Sequence, residues 1–112
     1  MHEAVDDGLN LYPDPECRLL KRSIADYYAL SVENVFVGNG SDEVLAHIFA
    51  GLFDHNKPLI CPDISYSFYP VYARLYDINL QQIPLGAGFE LDLNAYPIEN
   101  GGVIFANPNA PT

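Results

Sequence analysis

The sequence predicts an α/β fold with a mostly parallel sheet flanked by helices, and three observations carry that expectation. Stretches with apolar residues at helical spacing alternate with short apolar runs, the pattern of strand and helix in turn. Those runs, such as Val35-Phe36-Val37 and Leu59-Ile60-Cys61, lack polar alternation, which suits strands covered on both faces. The chain has 112 residues, 49% of them hydrophobic, enough for one domain with a real core and too apolar for a disordered segment.

Residues 1–11 carry Asp6, Asp7 and Gly8 with little periodicity and read as a loose lead-in. Tyr12-Pro13-Asp14-Pro15 is a turn in which Asp14 can cap a helix starting at Pro15, the helical position proline tolerates best. Glu16 in the first turn and Lys21 and Arg22 further along suit the helix dipole. Leu19, Leu20, Ile24, Tyr27 and Tyr28 then mark the apolar face of a helix of about four turns, ending near Leu30.

Ser31 to Asn34 connects to a first strand at Val35–Val37, and Gly38-Asn39-Gly40 turns into a second helix with Val44, Leu45, Ile48, Phe49 and Leu52 on one face. Pro58 to Pro62 is a second strand. Asp63 to Pro70 opens a third helix running through Val71, Tyr72, Leu75 and Tyr76, with Pro70 early in it, where proline costs least. Ile78 to Pro84 is a third strand, Gly86-Ala87-Gly88 a turn, and Leu91 to Tyr96 either a short helix or an extended segment. Val103 to Ala106 is a fourth strand, followed by the loop Asn107 to Thr112. There is no internal repeat and no low-complexity segment.

Fifteen acidic residues stand against five basic ones, a net charge of −10, which argues against nucleic acid or an anionic membrane as partner. No apolar run approaches a membrane span, and the N-terminus lacks the basic and apolar regions of a signal peptide, so a cytoplasmic protein is expected. Cys17 and Cys61 fit no metal spacing and read as reduced structural thiols. His2, His47 and His55 read as solvated side chains, and no metal site is expected.

Function is sought beyond the carboxyl ends of the strands, where open parallel sheets gather their ligands. Three polar clusters are expected there: Gly38 to Glu43, Asp63 to Tyr69, and Asn107 to Thr112. A strand turning through glycines into a helix leaves backbone N–H groups unpaired and aimed outward, with the positive end of the helix dipole behind them. Such a turn is a natural phosphate site, although Asn-Gly is also an ordinary tight-turn pair. Together with the aromatics and the amide-rich loop, it suggests a flat, phosphorylated aromatic ligand.

Tyr12-Pro13-Asp14, Gly38-Asn39-Gly40-Ser41-Asp42-Glu43, Pro62-Asp63-Ile64-Ser65-Tyr66-Ser67-Phe68-Tyr69 and Asn107-Pro108-Asn109-Ala110-Pro111-Thr112 occur in the order and spacing of the class I/II aminotransferases. The likeness runs from about Leu11 to Thr112 and is nearest to the histidinol-phosphate aminotransferase family. It implies fold type I, with residues 12–112 as part of a large domain that binds pyridoxal 5'-phosphate, and a parent that works as a homodimer.

Residue by residue, the resemblance implies that Gly40, Ser41, Asp42 and Glu43 present backbone N–H groups to the cofactor phosphate. Aimed at a phosphate, the carboxylates of Asp42 and Glu43 would repel it, so they are expected to point aside; simple first-turn stabilisation is the other reading of both. Tyr66 would stack on the pyridine ring, against the plainer reading of a core or surface tyrosine. Tyr12 would reach the phosphate of the neighbouring subunit, or else merely pack ahead of Pro13. Many aminotransferases have Asn directly before Pro-Thr-Gly, bonded to the cofactor 3-hydroxyl; Ala110 stands there, leaving Asn109, or second to it Asn107, to supply that bond.

The implied reaction moves an amino group between an amino-acid-like phosphate substrate and 2-oxoglutarate, in histidine biosynthesis. The other readings are a related enzyme of the same fold, such as a threonine-phosphate decarboxylase, and a non-catalytic α/β phosphate-binding module. A transaminase needs a Schiff-base lysine. Lys21 and Lys57, the lysines of this sequence, match neither the position nor the context of that residue in the family. No catalytic residue is therefore assigned; the chain alone is expected to be inactive, to hold the cofactor weakly and to self-associate through uncovered sheet and apolar surface.

Overall fold

The computed structural model describes Gly8 and residues 10–112, and the chain divides into two compact units, one running up to Gly40 and one spanning Ser41–Thr112. In the first unit the Asp14 carboxylate accepts hydrogen bonds from the backbone N–H of Glu16 (3.2 Å) and Arg18 (3.0 Å). These bonds, that to Arg18 foremost, hold the Asp14 carboxyl below the usual carboxylate range. Helix α1 is Arg18–Tyr28, three residues later than a start at Pro15, because Asp14 closes a turn around Pro15 and Glu16 and Cys17 takes a left-handed conformation before the first helical residue. Glu16 thus lies outside the helix and pairs with the Arg18 guanidinium at 3.0 Å.

The C-terminus of α1 is closed by Ala29, left-handed at φ 54°, with the Leu30 N–H returned to the Ala25 carbonyl at 2.9 Å, a Schellman-type stop. Ala25 is the buried residue of α1, whereas Leu19, Leu20, Tyr27 and Tyr28 of the expected apolar face are exposed. A 3-10 turn at Val32–Asn34 follows. Val35 is extended, but Val35–Val37 is not a strand, which corrects the expected first strand: among the described residues its own unit offers no ladder for it to join.

The second unit is a three-stranded parallel sheet in the order β2-β1-β3, with β1 Leu59–Pro62, β2 Leu80–Ile83 and β3 Gly102–Val103. Every residue of β1 is buried, as its unbroken apolar run requires. Leu59 aligns with Leu80 on one side and Gly102 on the other. β3 is shorter than the expected Val103 to Ala106, and proline chemistry explains it. Odd-numbered residues of β1 face β2, with Leu59 N–H bonded to Asn79 and Asp63 N–H to Ile83; even-numbered ones face β3, where Ile60 accepts from Ile104 N–H at 2.9 Å. The next donor on that side would be Pro62, which has no N–H.

Helices α2 (Gly40–Gly51) and α3 (Tyr69–Leu75) carry the aromatic core. Phe49, fully buried, meets Phe53 edge to face at 5.3 Å and Tyr72 at 5.2 Å, and packs in one cluster with Leu59, Cys61, Tyr69, Ala73 and Ile78. Leu52, expected on the same face, is 77% exposed. α3 begins at Tyr69 with Pro70 in its first turn; residues 63–68 are loop, so the helix opens later than Asp63. Leu93–Ala95 is a 3-10 turn capped by the Asp92 side chain. His55 is exposed, yet its Nε2 lies 2.8 Å from the Phe49 carbonyl, closing the end of α2. Both cysteines are free; burial pushes the Cys61 thiol up to about 11, so it stays protonated and inert.

Two substitutions test this packing by chemical denaturation. Phe49→Ala is expected to cost about 3–5 kcal/mol and Leu52→Ala under about 1 kcal/mol, and equal costs would contradict the placement of α2. Gly101→Ala would drive a methyl into the carbonyls of Asp54 and Lys57, at an expected cost of about 1–3 kcal/mol; an unchanged midpoint would show that the 54–58 turn does not close over Gly101.

Candidate functional site

Parallel strands bring the ends of β1 and β3 out on one side of the sheet, so the loops 63–68 and 104–112 emerge beside each other. The two loops are tied by Asn109. Its Oδ1 accepts from the Ser65 hydroxyl at 2.9 Å, and its Nδ2 donates to the Ile64 carbonyl at 2.9 Å and to Thr112 Oγ1 at 2.7 Å. Both amide hydrogens of Asn109 are therefore engaged.

The first turn of α2 joins the same edge. Tyr66 donates its hydroxyl hydrogen bond to Asp42 Oδ1 at 2.7 Å, and Tyr72, from α3, donates to the backbone carbonyl of Asp42 at 3.1 Å. The bond to the carboxylate is the main cause that raises the Tyr66 hydroxyl above its ordinary pKa; for Tyr72 burial comes first and the Asp42 charge second. The Tyr66 ring is further fixed by Tyr69, edge-on at 5.6 Å and 79°, and lies near-parallel to Phe68 at 5.9 Å.

A cavity of about 240 Å³ opens between these parts, lined by Ser41, Leu45, Tyr66, Tyr69, Ala106, Pro108 and Ala110. It is apolar apart from Ser41 and the tyrosine hydroxyls, the character of a pocket for a flat ring with a polar end. A second cavity, of about 310 Å³, lies across the last loop and is lined by Pro62, Leu85, Phe89, Phe105, Asn107, Asn109 and Thr112 among others.

Of the residues singled out from the sequence, Ser41, Asp42 and Tyr66 come together. Glu43 is exposed, and Gly40 adopts φ +84° with open space where a side chain would begin, a conformation that favours glycine and leaves the approach to the first turn clear. Asn109 is held against Ser65 and borders the second cavity, as does the exposed Asn107. Tyr12 is fully exposed in the first unit. Lys57 precedes β1, at the opposite end of the strand from this edge, and pairs with Glu99 at 3.1 Å; Lys21 lies on α1. Among the described residues no cluster of His, Cys, Asp and Glu could hold a metal ion.

Sequence reasoning did not single out Ser65, which orients Asn109, or Tyr72, which holds the Asp42 carbonyl. Ser65 was visible only as a member of the polar run after the second strand. Tyr72 was indistinguishable from any other apolar-face residue of its helix.

The donor set suits a phosphorylated aromatic cofactor: an aromatic wall of fixed tilt, an unobstructed helix start and an apolar cleft between them. Known proteins resemble this chain. The profile of the family described as aminotransferase class I and II matches residues 2–112. The chain is 56% identical over 112 residues to the histidinol-phosphate aminotransferase of Pseudomonas syringae pv. syringae (strain B728a). It is 59% identical to histidinol-phosphate aminotransferase 1 of Hydrogenovibrio crunogenus (strain DSM 25203 / XCL-2). All of this chain is covered in both alignments, but it spans only 32% of the length of each relative. A crystal structure from Erwinia carotovora atroseptica SCRI1043, assigned provisionally as a histidinol-phosphate aminotransferase, superposes with a TM-score of 0.79 over 95% of this chain and 33% of that one; at 18% identity it shows the fold. The chain belongs to the class I and II aminotransferases.

Proposed function

We propose that the chain is the part of a histidinol-phosphate aminotransferase that cradles pyridoxal 5'-phosphate, in an enzyme moving an amino group between an amino-acid-like phosphate substrate and 2-oxoglutarate. The observation that carries this reading is the cleft between Tyr66 and the first turn of α2, in a chain 56% identical to an enzyme of that name. Backbone N–H groups of Ser41, Asp42 and Glu43 would hold the phosphate, joined by that of Gly40 in exchange for its bond to the Gly38 carbonyl at 3.0 Å, and the Tyr66 ring would lie against the pyridine. When bound, the cofactor supplies an electron sink for the carbon that loses and regains a proton.

Asn109 would donate to the cofactor 3-hydroxyl by exchanging its bond to Thr112, since its bonds to Ser65 and Ile64 tie the loops together. Asn107 is the second candidate for that bond. Tyr12 would act across a homodimer, on the phosphate of the other subunit. The lysine that bonds the cofactor carbonyl would come from another part of the protein, because Lys57 sits at the wrong end of β1. A cytoplasmic enzyme is proposed; no helix among the described residues is long and apolar enough to cross a membrane.

The full gene product is expected to convert histidinol phosphate and 2-oxoglutarate, while Met1–Thr112 alone shows neither turnover nor a new visible absorption band with pyridoxal phosphate at about one-to-one stoichiometry. A stable band in the chain alone would contradict the proposed division of labour. Val103 and Phe105, exposed at the β3 edge, lead us to expect Met1–Thr112 to self-associate; a clean monomer in size-exclusion chromatography would count against it.

A further inference from the structure

Asp42 is the third residue of α2, beside the proposed phosphate position, where a free carboxylate would repel an anion. Its carboxylate is not free: it accepts the Tyr66 hydroxyl at 2.7 Å, a charge-assisted bond of ordinary short length. The main chain of the same residue is gripped from the other side, by the Tyr72 hydroxyl at 3.1 Å. Tyr72 is itself buried against Phe49 at 5.2 Å. Asp42 is thus fixed to the core through its backbone and hands that rigidity to Tyr66 through its side chain.

The Tyr66 ring is anchored at two ends, by its backbone in the loop after β1 and by its hydroxyl on α2, with Tyr69 edge-on against it at 5.6 Å. A tyrosine held only by its backbone could rotate about its first side-chain torsion between staggered positions. The bond to Asp42 selects one. It also turns the Asp42 charge toward a phenolic hydrogen, which accounts for a carboxylate next to an anion site.

We propose that Asp42 is a positioning residue whose carboxylate, by holding the Tyr66 hydroxyl, sets the tilt of the Tyr66 ring relative to the first turn of α2. An aromatic ligand whose anionic group sits at that turn is thereby oriented on Tyr66. This assignment rests on the cofactor reading above. It gives the side chain of Asp42 a task separate from the backbone contact with phosphate and from stabilising the helix start.

The test uses the full gene product, freed of cofactor and titrated with pyridoxamine 5'-phosphate, which needs no lysine to bind. Two quantities are read: the dissociation constant, and the induced circular dichroism of the bound ligand, which reports ring orientation. Asp42→Ala and Tyr66→Phe are each expected to weaken binding about 5–10-fold and to diminish the induced signal. The double variant should be no worse than either single one, because one bond is lost in all three. Asp42→Asn keeps an acceptor and should retain most of the signal, which also covers the case in which Asp42→Ala fails to fold. Additive losses in the double variant, or an unchanged induced signal in Asp42→Ala, would overturn the assignment. Tyr66→Ala separates the two readings: if it binds the probe as tightly as the unmodified protein, the cofactor reading itself fails and the positioning role falls with it. If Tyr66→Ala loses affinity while Tyr66→Phe and Asp42→Ala do not, the cofactor reading stands and only the role of Asp42 is refuted.

Discussion

The larger unit depends on the burial of β1. Its four residues are all buried and all paired with β2, and Leu59 and Ile60 are paired with β3 as well, which fixes the position and register of the strand. The core residues Phe49, Tyr69 and Tyr72 reach it from two helices, and the removal of their apolar surface from water stabilises the whole arrangement. What happens at the end of β1 follows from that constraint. Pro62 ends the ladder toward β3, and the loops that follow β1 and β3 meet through Asn109 and Ser65.

The site is the polar counterpart of that core. Two tyrosines of the aromatic cluster, Tyr66 and Tyr72, turn their hydroxyls to one residue, Asp42. Packing of rings and aiming of hydrogen bonds are therefore a single structural event. Tyrosine suits the task because its body is apolar and its tip is not. A shift of α3 against α2 would move the grip on Asp42, and with it the tilt of the Tyr66 ring, so the cleft inherits the rigidity of the core. The last loop shows the same economy: Asn109 serves as a strut between loops, with one hydrogen, that bonded to Thr112, available for exchange without loosening the strut.

Much of this was legible from residue patterns. An apolar run without alternation located β1, β2 falls inside the stretch Ile78 to Pro84 read as a strand although two glutamines stand at its centre, and glycines and prolines located the turns around them. The family resemblance, carried by Gly38 to Glu43, Tyr66 and the final loop, pointed to the edge where the cleft lies, and the family assignment agrees with it. Three features were not legible, each because tertiary context overrode a local signal. Val35–Val37 has the composition of a strand but joins no ladder among the described residues. Asp14 can cap in sequence, yet it caps a turn that postpones the helix. Asp42 reads as a first-turn acid, and nothing local reveals that a tyrosine 24 residues away takes its carboxylate.

The central claim is spatial: the ring of the cofactor lies on Tyr66 while its phosphate lies at the first turn of α2. The most direct measurement is a crystal structure of the full gene product with pyridoxal 5'-phosphate bound. The account predicts phosphate oxygens within hydrogen-bond distance of the backbone N–H groups of residues 40–43, the pyridine ring stacked on Tyr66, and the bond from Tyr66 to Asp42 intact. Phosphate density away from the start of α2, or a cofactor ring on a different aromatic residue, would contradict it.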